Sequence, residues 1–494
     1  MLNLLLSLLT AALLILSFPR FSIAWLAPFA LAPLLIAVVR ERRTFRRFLL
    51  GWVAGVVYWF GVCYWIQFVL SVHGGVGDMA GWALLCLFAL AKGLHMGVFA
   101  LLAAYPMRRW WAAPAVAALW VGIEVTHGSL GFAWLALGNA GVNMSAMMRL
   151  APVTGVYGIS FVFAVAGTAV ALACLRRPRL HYAWVLAFPA LYLLPALPPF
   201  ENGRETALLV QPNVSETEDW TEQSLEAKER ETTMTSLRGA LADPRRSPSV
   251  VVWPEVPAPF YYEQDPQFKG YVDTLARTLK AYVLAGVVGR TPDGRPLNSA
   301  VLVSPEGRLE TRYDKVNLVP FGEFVPWPFG FANKISNQTG DFAAGERVVV
   351  SPVEAGRKIG TFICYESVFP DFVRKFVASG AGVLFNISND GWFGKSAARF
   401  QHLSIVRMRA AENRRWIVRA TNDGVTAAID PAGRVRQTVP LYTEATAVAP
   451  FSYVSEMTLY TRFGNWFPIL CAMLAALALV AEAAIPGKPK RGGS

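Results

Sequence analysis

One cysteine in the polar part of the chain lies where a thiol could act as a nucleophile. Cys364 ends the apolar run 359–363 and is followed by Tyr365, Glu366 and a predicted helix. A strand-to-helix turn would place the sulfur at a helix N-terminus, which favours the thiolate and lowers the pKa of the thiol. A buried, inert thiol is the alternative, but Cys364 has no second cysteine within residues 200–465 to pair with.

A nucleophilic thiol needs a base to remove its proton. The histidine of residues 200–465 is His402, inside the amphipathic stretch 397–415. A structural role suits that position better, so a Cys-His protease pair is poorly supported. Two other ionisable residues follow predicted strands, Glu255 and Lys315. Taken singly, each is better explained as a surface charge at the mouth of a loop.

Four sequence motifs, three of which contain Glu255, Lys315 or Cys364, follow one another along the chain. They are Trp-Pro-Glu at 253–255, Tyr-Asp-Lys at 313–315 followed by Leu-Val-Pro-Phe-Gly-Glu at 318–323, Ile-Cys-Tyr-Glu at 363–366, and Asn-Ile-Ser-Asn-Asp-Gly-Trp-Phe at 386–393. Any one motif alone is weak evidence, but the ordered set resembles the nitrilase superfamily. More narrowly, essentially the whole chain resembles the bacterial apolipoprotein N-acyltransferase family.

The resemblance implies a Glu-Lys-Cys triad. Glu255 would take the proton from Cys364 as general base, and Lys315 would hold both groups in register and stabilise the oxyanion. The thiolate would attack the sn-1 ester carbonyl of a phospholipid and form a thioester. The N-terminal α-amine of a diacylglyceryl-modified apolipoprotein would then attack that thioester, so the kinetics should be ping-pong.

The resemblance also assigns three polar positions near the triad. Glu323, eight residues after Lys315, matches an auxiliary carboxylate that keeps the lysine charged, although an ion pair at the loop mouth is the alternative. Tyr365 and Glu366 match positions that shape the turn at the nucleophile. The backbone N–H of Tyr365 is a candidate oxyanion donor.

Several aromatic residues are predicted to contact lipid. Trp220, Trp392 and Phe393 match family aromatics near an acyl pocket or its lids. The stretch 319–331 holds five aromatics among prolines and glycines, which predicts contact with the membrane interface; packing within the polar domain is the alternative. Residues 131–138 read as an interfacial or re-entrant segment that could guide a lipid towards the cysteine.

The segment between these motifs is predicted to fold as one α/β domain. Strand-like runs are 207–210, 249–253, 283–288, 300–303, 358–364, 382–387, 416–420 and 425–429, and helical stretches are 221–241, 266–281 and 397–415. Alternation of this kind indicates an α/β sandwich. The resemblance implies the nitrilase-like α-β-β-α order of layers.

The rest of the chain is predicted to lie in a membrane. Of 494 residues, 54% are hydrophobic and only 16% are charged, against about 25% charged in a soluble domain. Eight apolar runs are long enough to be spans, and they lie at 2–18, 21–39, 48–72, 79–105, 110–125, 150–175, 180–197 and 466–485. We therefore predict a polytopic α-helical membrane domain fused to the α/β domain.

Charge fixes the predicted orientation. Residues 1–199 and 466–494 hold 16 Lys/Arg and 4 Asp/Glu, whereas residues 200–465 hold 30 of each, so the net charge of +12 belongs to the membrane part. Basic residues concentrate in alternate connections and in the C-terminal tail, which the positive-inside rule assigns to the cytoplasm. The prediction is a bacterial inner-membrane protein: seven helices in 1–199, a periplasmic catalytic domain at 200–465, and an eighth helix with a short basic cytoplasmic tail at 466–494. Both termini would be cytoplasmic.

The same observations limit partners and cofactors. The neutral polar domain shows no basic stripe for nucleic acid, and no motif implies a metal or an organic cofactor. The resemblance implies a phospholipid acyl donor and a diacylglyceryl apolipoprotein acceptor, and we expect a monomer.

Two other functions remain open from the sequence. A membrane-tethered amidase or nitrilase could use the same triad with water in place of the amine, but it would not need the aromatic stretch. A transporter or receptor whose polar domain only binds a ligand would need more polar residues at the midplane of the membrane.

Overall fold

The computed structural model describes residues 1–129, 131–199, 201–242, 247–324 and 342–484. The first 199 residues form a helical part. Its helices are α1 (Leu2–Ser17), α2 (Ala32–Arg40), α3 (Thr44–Val62), α4 (Trp65–Phe68), α5 (Asp78–Ala103), α6 (Ala112–Glu124), α7 (Thr126–Ser129), α8 (Ser145–Met148), α9 (Ala151–Thr154) and α10 (Val156–Cys174). Shorter 3-10 and π-helical turns connect them, at Ala24–Phe29, Val69–His73, Pro106–Arg108, Leu137–Asn143, Arg179–His181 and Ala183–Leu193.

Within the described residues, three helices are long and apolar enough to cross a membrane: Asp78–Arg108, Val156–Cys174 and Trp466–Ala484. A bent pair, Thr44–Val62 and Trp65–His73, would make a fourth, with a 58° bend between its halves. The helices Leu2–Ser17 and Ala24–Arg40 are apolar but shorter. The count of eight spans stays a prediction.

The predicted seventh span differs most from the structure. It contains two 3-10 helices, and the longer one, Ala183–Leu193, includes Pro189 and buries none of its residues. Proline has no N–H to continue an α-helical ladder, which accounts for the irregular backbone.

The polar domain contains two six-stranded sheets. Its strands are β1 (Glu205–Gln211), β2 (Val250–Val252), β3 (Tyr282–Arg290), β4 (Pro296–Val303), β5 (Leu309–Asp314), β6 (Val350–Pro352), β7 (Lys358–Ile363), β8 (Val383–Ser388), β9 (Ile417–Thr421), β10 (Ala427–Ile429), β11 (Val435–Thr438) and β12 (Ala445–Phe451). The first sheet has the order β12-β1-β2-β3-β4-β5, and the second has the order β11-β10-β9-β8-β7-β6. Strands β1 to β3 are mutually parallel, as are β7 to β9.

The predicted strands and helices of this domain are confirmed. All eight predicted strands form, and the three predicted helices are α11 (Glu222–Leu241), α12 (Pro266–Leu279) and α14 (Ala398–Asn413). The four strands that the sequence pattern missed, β5, β6, β11 and β12, are the four edges of the two sheets. Edge strands bury less of their surface, so their sequences carry weaker apolar runs.

Helices cover both sheets. An apolar cluster joins α11 and α12 to the outer face of the first sheet through residues such as Trp253 and Phe268. A second cluster joins the two sheets, with Leu209 on one and Phe362 on the other, and extends to α13 (Pro370–Ala378) and α14. Ile405 and other residues of α14 pack on the membrane helices, so this helix lies between the second sheet and the membrane part. The chain ends with α15 (Leu459–Phe463) and α16 (Trp466–Ala484).

One glycine of β3 allows the chain that follows β2 to lie directly on the sheet. Trp253 N–H donates to the carbonyl of Leu284 at 2.8 Å, which carries the pairing of β2 and β3 one residue beyond the strand. A Cβ at Gly286 would lie 2.2 Å from the carbonyl oxygen of Pro254 and 2.8 Å from the Cα of Glu255. The backbone position of Glu255 therefore depends on this glycine.

We expect Gly286→Ala to displace residues 254–256 and to lower the free energy of unfolding by about 1–3 kcal/mol through overpacking. Gly270→Ala on α12 is the matched control, because no atom lies within 4 Å of its added Cβ. Alanine in a helix is favoured over glycine by about 0.5–1 kcal/mol, so this variant should be as stable as wild type or slightly more stable. Thermal unfolding of both variants in the same detergent tests this, and equal melting of the two would contradict it.

Candidate active site

The ends of several strands meet at one edge of the two sheets. Glu255 follows β2 and Lys315 follows β5 in the first sheet, and Cys364 follows β7 in the second. All three side chains are buried, with 6% of Glu255, 1% of Lys315 and 7% of Cys364 exposed. The structure thus brings the three residues of the predicted triad to one buried place.

Lys315 lies between two carboxylates. Its Nζ donates to Glu255 Oε1 at 2.8 Å and to Glu323 Oε1 at 2.9 Å. Burial alone would lower the pKa of Lys315, but the charges of Glu255 and Glu323 outweigh it and raise the pKa well above its ordinary value. The lysine is therefore an ammonium at any physiological pH, as the sequence analysis expected of a residue paired with Glu323.

Asn298 completes this group, and the sequence analysis did not identify it. Its Nδ2 donates to Glu255 Oε1 at 2.8 Å and to Glu323 Oε1 at 2.7 Å. The same residue accepts the backbone N–H of Lys315 at 2.8 Å. Strand β4 reads Pro-Leu-Asn-Ser-Ala-Val-Leu-Val, with Ser299 directly after Asn298, so its sequence gives no local signal of this role.

The remaining carboxylate oxygens are also held. Glu255 Oε2 accepts the backbone N–H of Asn389 at 2.9 Å, and Glu323 Oε2 accepts the N–H of Val319 at 2.8 Å. Each carboxylate is thereby fixed from two directions.

Cys364 occupies a strained turn. Its φ is +46°, a left-handed conformation that non-glycine residues seldom adopt. Burial raises the pKa of the thiol, and the negative charge of Glu255 raises it further despite the opposing effect of Lys315. The sequence expectation of a lowered pKa is wrong because the thiol is buried and the negative charge of Glu255 acts on it, and because the helix that follows is only a five-residue 3-10 helix, Cys364–Val368.

Glu366 secures the turn to the loop that carries Lys315. Its Oε1 accepts from Tyr313 Oη at 2.6 Å and from Val316 N at 2.7 Å. Its Oε2 accepts from Ile363 N, immediately before the thiol, at 2.7 Å. The residue is fully buried, and that burial raises its pKa to about 7.

His402 lies beneath the turn and has the structural surroundings that the sequence predicted. Its Nε2 is 3.1 Å from the carbonyl oxygen of Cys364 and 2.8 Å from Ser367 Oγ. Its Nδ1 is 3.0 Å from Asp390 Oδ1, and Asp390 also pairs with Arg419 at 2.8 Å. Burial and the adjacent charge of Arg419 lower the pKa of His402, so it braces the nucleophile from behind as a neutral ring.

Two of the three predicted aromatics lie where the polar domain meets the membrane helices. The ring of Trp392 is 4.6 Å from the ring of His73, and that of Phe393 is 5.0 Å from Trp65. Trp220 lies elsewhere, half-buried against the outer cluster of the first sheet. Residues 325–331 of the predicted aromatic stretch, and the basic residues of the predicted tail, lie outside the described residues.

Two further contacts, which the sequence analysis did not identify, join the site to the membrane part. Tyr365 Oη donates to the carbonyl oxygen of Gly131 at 2.7 Å, so the residue after the thiol touches the predicted interfacial segment. Gln401 Oε1 accepts from the indoles of Trp65 at 3.2 Å and Trp134 at 2.8 Å. Its Nε2 donates to the carbonyl of Val62 at 3.1 Å, so this amide holds α14 on the ends of the membrane helices.

The charges around the sulfur lead to a test that needs no substrate. Because burial and Glu255 raise the pKa of the Cys364 thiol, alkylation of Cys364 by iodoacetamide should have its midpoint at higher pH than alkylation of a free thiol. Glu255→Gln removes the negative charge and should move the midpoint to lower pH, whereas Lys315→Met should move it to higher pH. Mass spectrometry of the Cys364 peptide separates this thiol from the other four cysteines. A midpoint that rises in Glu255→Gln would contradict the arrangement of charges.

Two protein-family models match the chain. The model described as Apolipoprotein N-acyltransferase N-terminal domain matches residues 10–169, and the model described as Carbon-nitrogen hydrolase matches residues 210–456. Among curated relatives, the apolipoprotein N-acyltransferase of Geobacter metallireducens is 34% identical and aligns with 96% of this chain and 95% of its own. That of Pseudomonas syringae pv. tomato is 31% identical, with 92% and 94% covered.

Among solved structures, the carbon-nitrogen hydrolase from Helicobacter pylori matches 50% of this chain and 89% of its own at 19% identity, with a TM-score of 0.38. The two family models divide the chain as the structure does, one on the helical part and one on the two sheets. With relatives of at least 30% identity running almost end to end, the chain belongs to the apolipoprotein N-acyltransferase family, its α/β part being the carbon-nitrogen hydrolase domain of the nitrilase superfamily.

Proposed function

We propose that this enzyme transfers the sn-1 acyl chain of a phospholipid, through a thioester on Cys364, to the N-terminal α-amine of a diacylglyceryl-modified apolipoprotein. The observation that carries the proposal is the buried ammonium of Lys315, held between Glu255 and Glu323 beside a thiol at the junction with the membrane helices. The names of the relatives supply the acceptor class, and the family's chemistry supplies the donor.

In the first half-reaction, the sulfur of Cys364 attacks the ester carbonyl carbon while Glu255 takes the thiol proton. The ammonium of Lys315, with the N–H of Tyr365, stabilises the negative charge that develops on the carbonyl oxygen. The C–O bond then breaks, and the lysophospholipid oxygen leaves with the proton from Glu255. The products are a thioester on Cys364 and a lysophospholipid.

In the second half-reaction, the acceptor amine attacks the thioester carbonyl carbon. A C–N bond forms, an N–H proton passes to Glu255, and the C–S bond breaks. Glu255 then returns its proton to the Cys364 sulfur. Donor product leaves before acceptor product forms, so the kinetics are ping-pong.

The contacts between the candidate site and the membrane helices favour a lipid substrate over a small soluble amide. Tyr365 bonds to Gly131, and Phe393 packs on Trp65 and Trp134. A soluble amidase would have no use for a nucleophile whose neighbours contact apolar helices. An enzyme with two lipid-bearing substrates needs that contact, because both substrates stay in the bilayer.

We also propose that the chain crosses the bacterial inner membrane eight times, with both termini in the cytoplasm and the catalytic domain in the periplasm. We propose in addition that the protein is a monomer. An ion pair supports the placement of the connections. Arg109, between α5 and α6, pairs with Glu482 near the end of α16 at 2.5 Å. This contact supports the proposal that the two chain segments lie on one side of the membrane, as their shared cytoplasmic assignment requires.

Reporter fusions test this topology. Alkaline phosphatase is active only outside the cytoplasm, so its fusion after residue 204 should be active. Green fluorescent protein fused after residue 494 should fluoresce, because it folds poorly in the periplasm. An inactive phosphatase fusion, with the fusion protein present in the membrane, would reverse the proposed orientation.

The thioester is tested directly by mass spectrometry. Purified enzyme incubated with phospholipid and no acceptor should gain the mass of one fatty acyl group on Cys364. Neutral hydroxylamine should remove that mass, and so should a lipopeptide with a free N-terminal amine. Release of ammonia from small amides, without any acyl adduct, would favour the amidase alternative.

Matched variants give the control for this measurement. Cys364→Ser should show no hydroxylamine-labile adduct. Cys364→Ala and Lys315→Ala should each lower turnover by several orders of magnitude, and the double variant should be little worse, because both groups act in the same transition states. Additive losses would contradict a shared mechanism.

A further inference from the structure

A second carboxylate is linked to Glu255 through one asparagine. Glu216 lies in the loop between β1 and α11, and its Oε2 accepts from Asn389 Nδ2 at 3.1 Å. The backbone N–H of the same Asn389 donates to Glu255 Oε2 at 2.9 Å. Asn389 therefore holds both carboxylates at once, one with its side chain and one with its backbone.

The loop that carries Glu216 is fixed from the other side by Asn422. Asn422 Nδ2 donates to Glu216 Oε1 at 2.8 Å and to the carbonyl of Val214 at 2.8 Å, while its Oδ1 accepts Val214 N–H at 2.9 Å. A Cβ at Gly391 would lie 2.4 Å from Glu216 Oε1. Glycine at this position is thus what lets the carboxylate reach the loop after β8. Glu216 is positioned by its surroundings and is not a loose surface charge.

The partners of Glu216 are neutral amides. Within the described residues it forms no ion pair, and Arg399 and Arg419 pair instead with Asp423 and Asp390, each at 2.8 Å. Burial raises the pKa of Glu216 to about 7, and the charges of Asp423 and Glu255 contribute in the same direction. The residue is only partly buried, and each of its carboxylate oxygens accepts one amide N–H, which leaves its negative charge available to pair with a cation.

The second half-reaction needs such a group. Near neutral pH an α-amine, with a pKa of about 7.7–8.0, arrives mostly as an ammonium. It must lose one proton before it can attack and a second as the amide forms. Glu255 accounts for one of these two protons, and a base in the site that takes the other would raise the fraction of acceptor that is ready to attack.

We propose that Glu216 binds the α-ammonium of the acceptor and takes its first proton. This inference rests on the proposed function and adds the acceptor site to it. The ammonium pairs with the Glu216 carboxylate, one N–H proton moves to a carboxylate oxygen, and the neutral amine attacks the thioester carbon. Glu255 takes the second proton and passes it to the departing sulfur, and Glu216 later releases the first proton to water.

The experiment separates the two half-reactions. Enzyme carrying a preformed Cys364 thioester is freed of phospholipid and mixed either with a diacylglyceryl lipopeptide or with hydroxylamine, which is largely uncharged near neutral pH. Intact-protein mass spectrometry follows loss of the acyl mass. In Glu216→Gln, discharge by the lipopeptide should slow at least tenfold and its KM should rise, whereas discharge by hydroxylamine should change less than threefold.

Matched variants distinguish a role of Glu216 in binding the acceptor ammonium from a role in supporting the loop. Glu216→Asp keeps the charge and should recover part of the lipopeptide rate. Glu218→Gln and Asp219→Asn alter exposed carboxylates of the same loop and should discharge the thioester with both nucleophiles as wild type does.

Equal slowing with both nucleophiles in Glu216→Gln would overturn the proposal and leave Glu216 as a support for the loop. Unchanged discharge with both would also overturn it. In either case a normal wild-type thioester would leave the acyltransferase function intact. Failure of the wild type to form any thioester would overturn both proposals together.

Discussion

The buried ammonium of Lys315 is the constraint on which the site depends. Moving a charge out of water costs several kcal/mol, and that cost is offset only when partners of opposite charge and good geometry are present. Here Glu255 and Glu323 supply the charge, and Asn298 ties their oxygens together. Removing Lys315 would leave two buried carboxylates without a cation, and removing Asn298 would take one donor from each of them, so these four residues form a single unit.

The packing of the two sheets brings these four residues and the thiol to the same edge of the domain. The ammonium and one carboxylate follow strands of the first sheet, and Cys364 follows a strand of the second. Glu366 spans the gap, because it accepts N–H groups from Val316 on one side and Ile363 on the other. The apolar core between the sheets holds them together. At the site, the buried carboxylate of Glu366 links the loop after β5 to the end of β7.

The sequence predicted the central strands from their apolar runs, whereas it predicted the triad through the resemblance of its ordered motifs to a known family. Strands buried on both faces have continuous apolar runs, as in Val-Val-Val of β2, and Glu255 and Cys364 follow such runs. The edge strands were missed because sequences such as Leu-Glu-Thr-Arg-Tyr-Asp of β5 carry no such run. Asn298, Gln401 and Glu216 were missed because their roles depend on partners far away in the chain, which no local pattern records. The irregular backbone of 183–193 shows the converse, since a local apolar run predicted a helix that Pro189 does not support.

The raised pKa of Cys364 is consistent with its proposed role once the base is considered. A permanently ionised thiolate outside the cytoplasm would be open to oxidation, because susceptibility follows thiolate character. Because burial and the negative charge of Glu255 raise its pKa, Cys364 rests as a thiol, and in the proposed mechanism its proton leaves as the sulfur attacks a carbonyl carbon. The negative charge then moves to the carbonyl oxygen, where the ammonium of Lys315 can stabilise it. Burial that disfavours a free thiolate therefore leaves the resting thiol un-ionised, while the charge that develops in the proposed transition state lies where Lys315 can stabilise it, and catalysis depends on that difference.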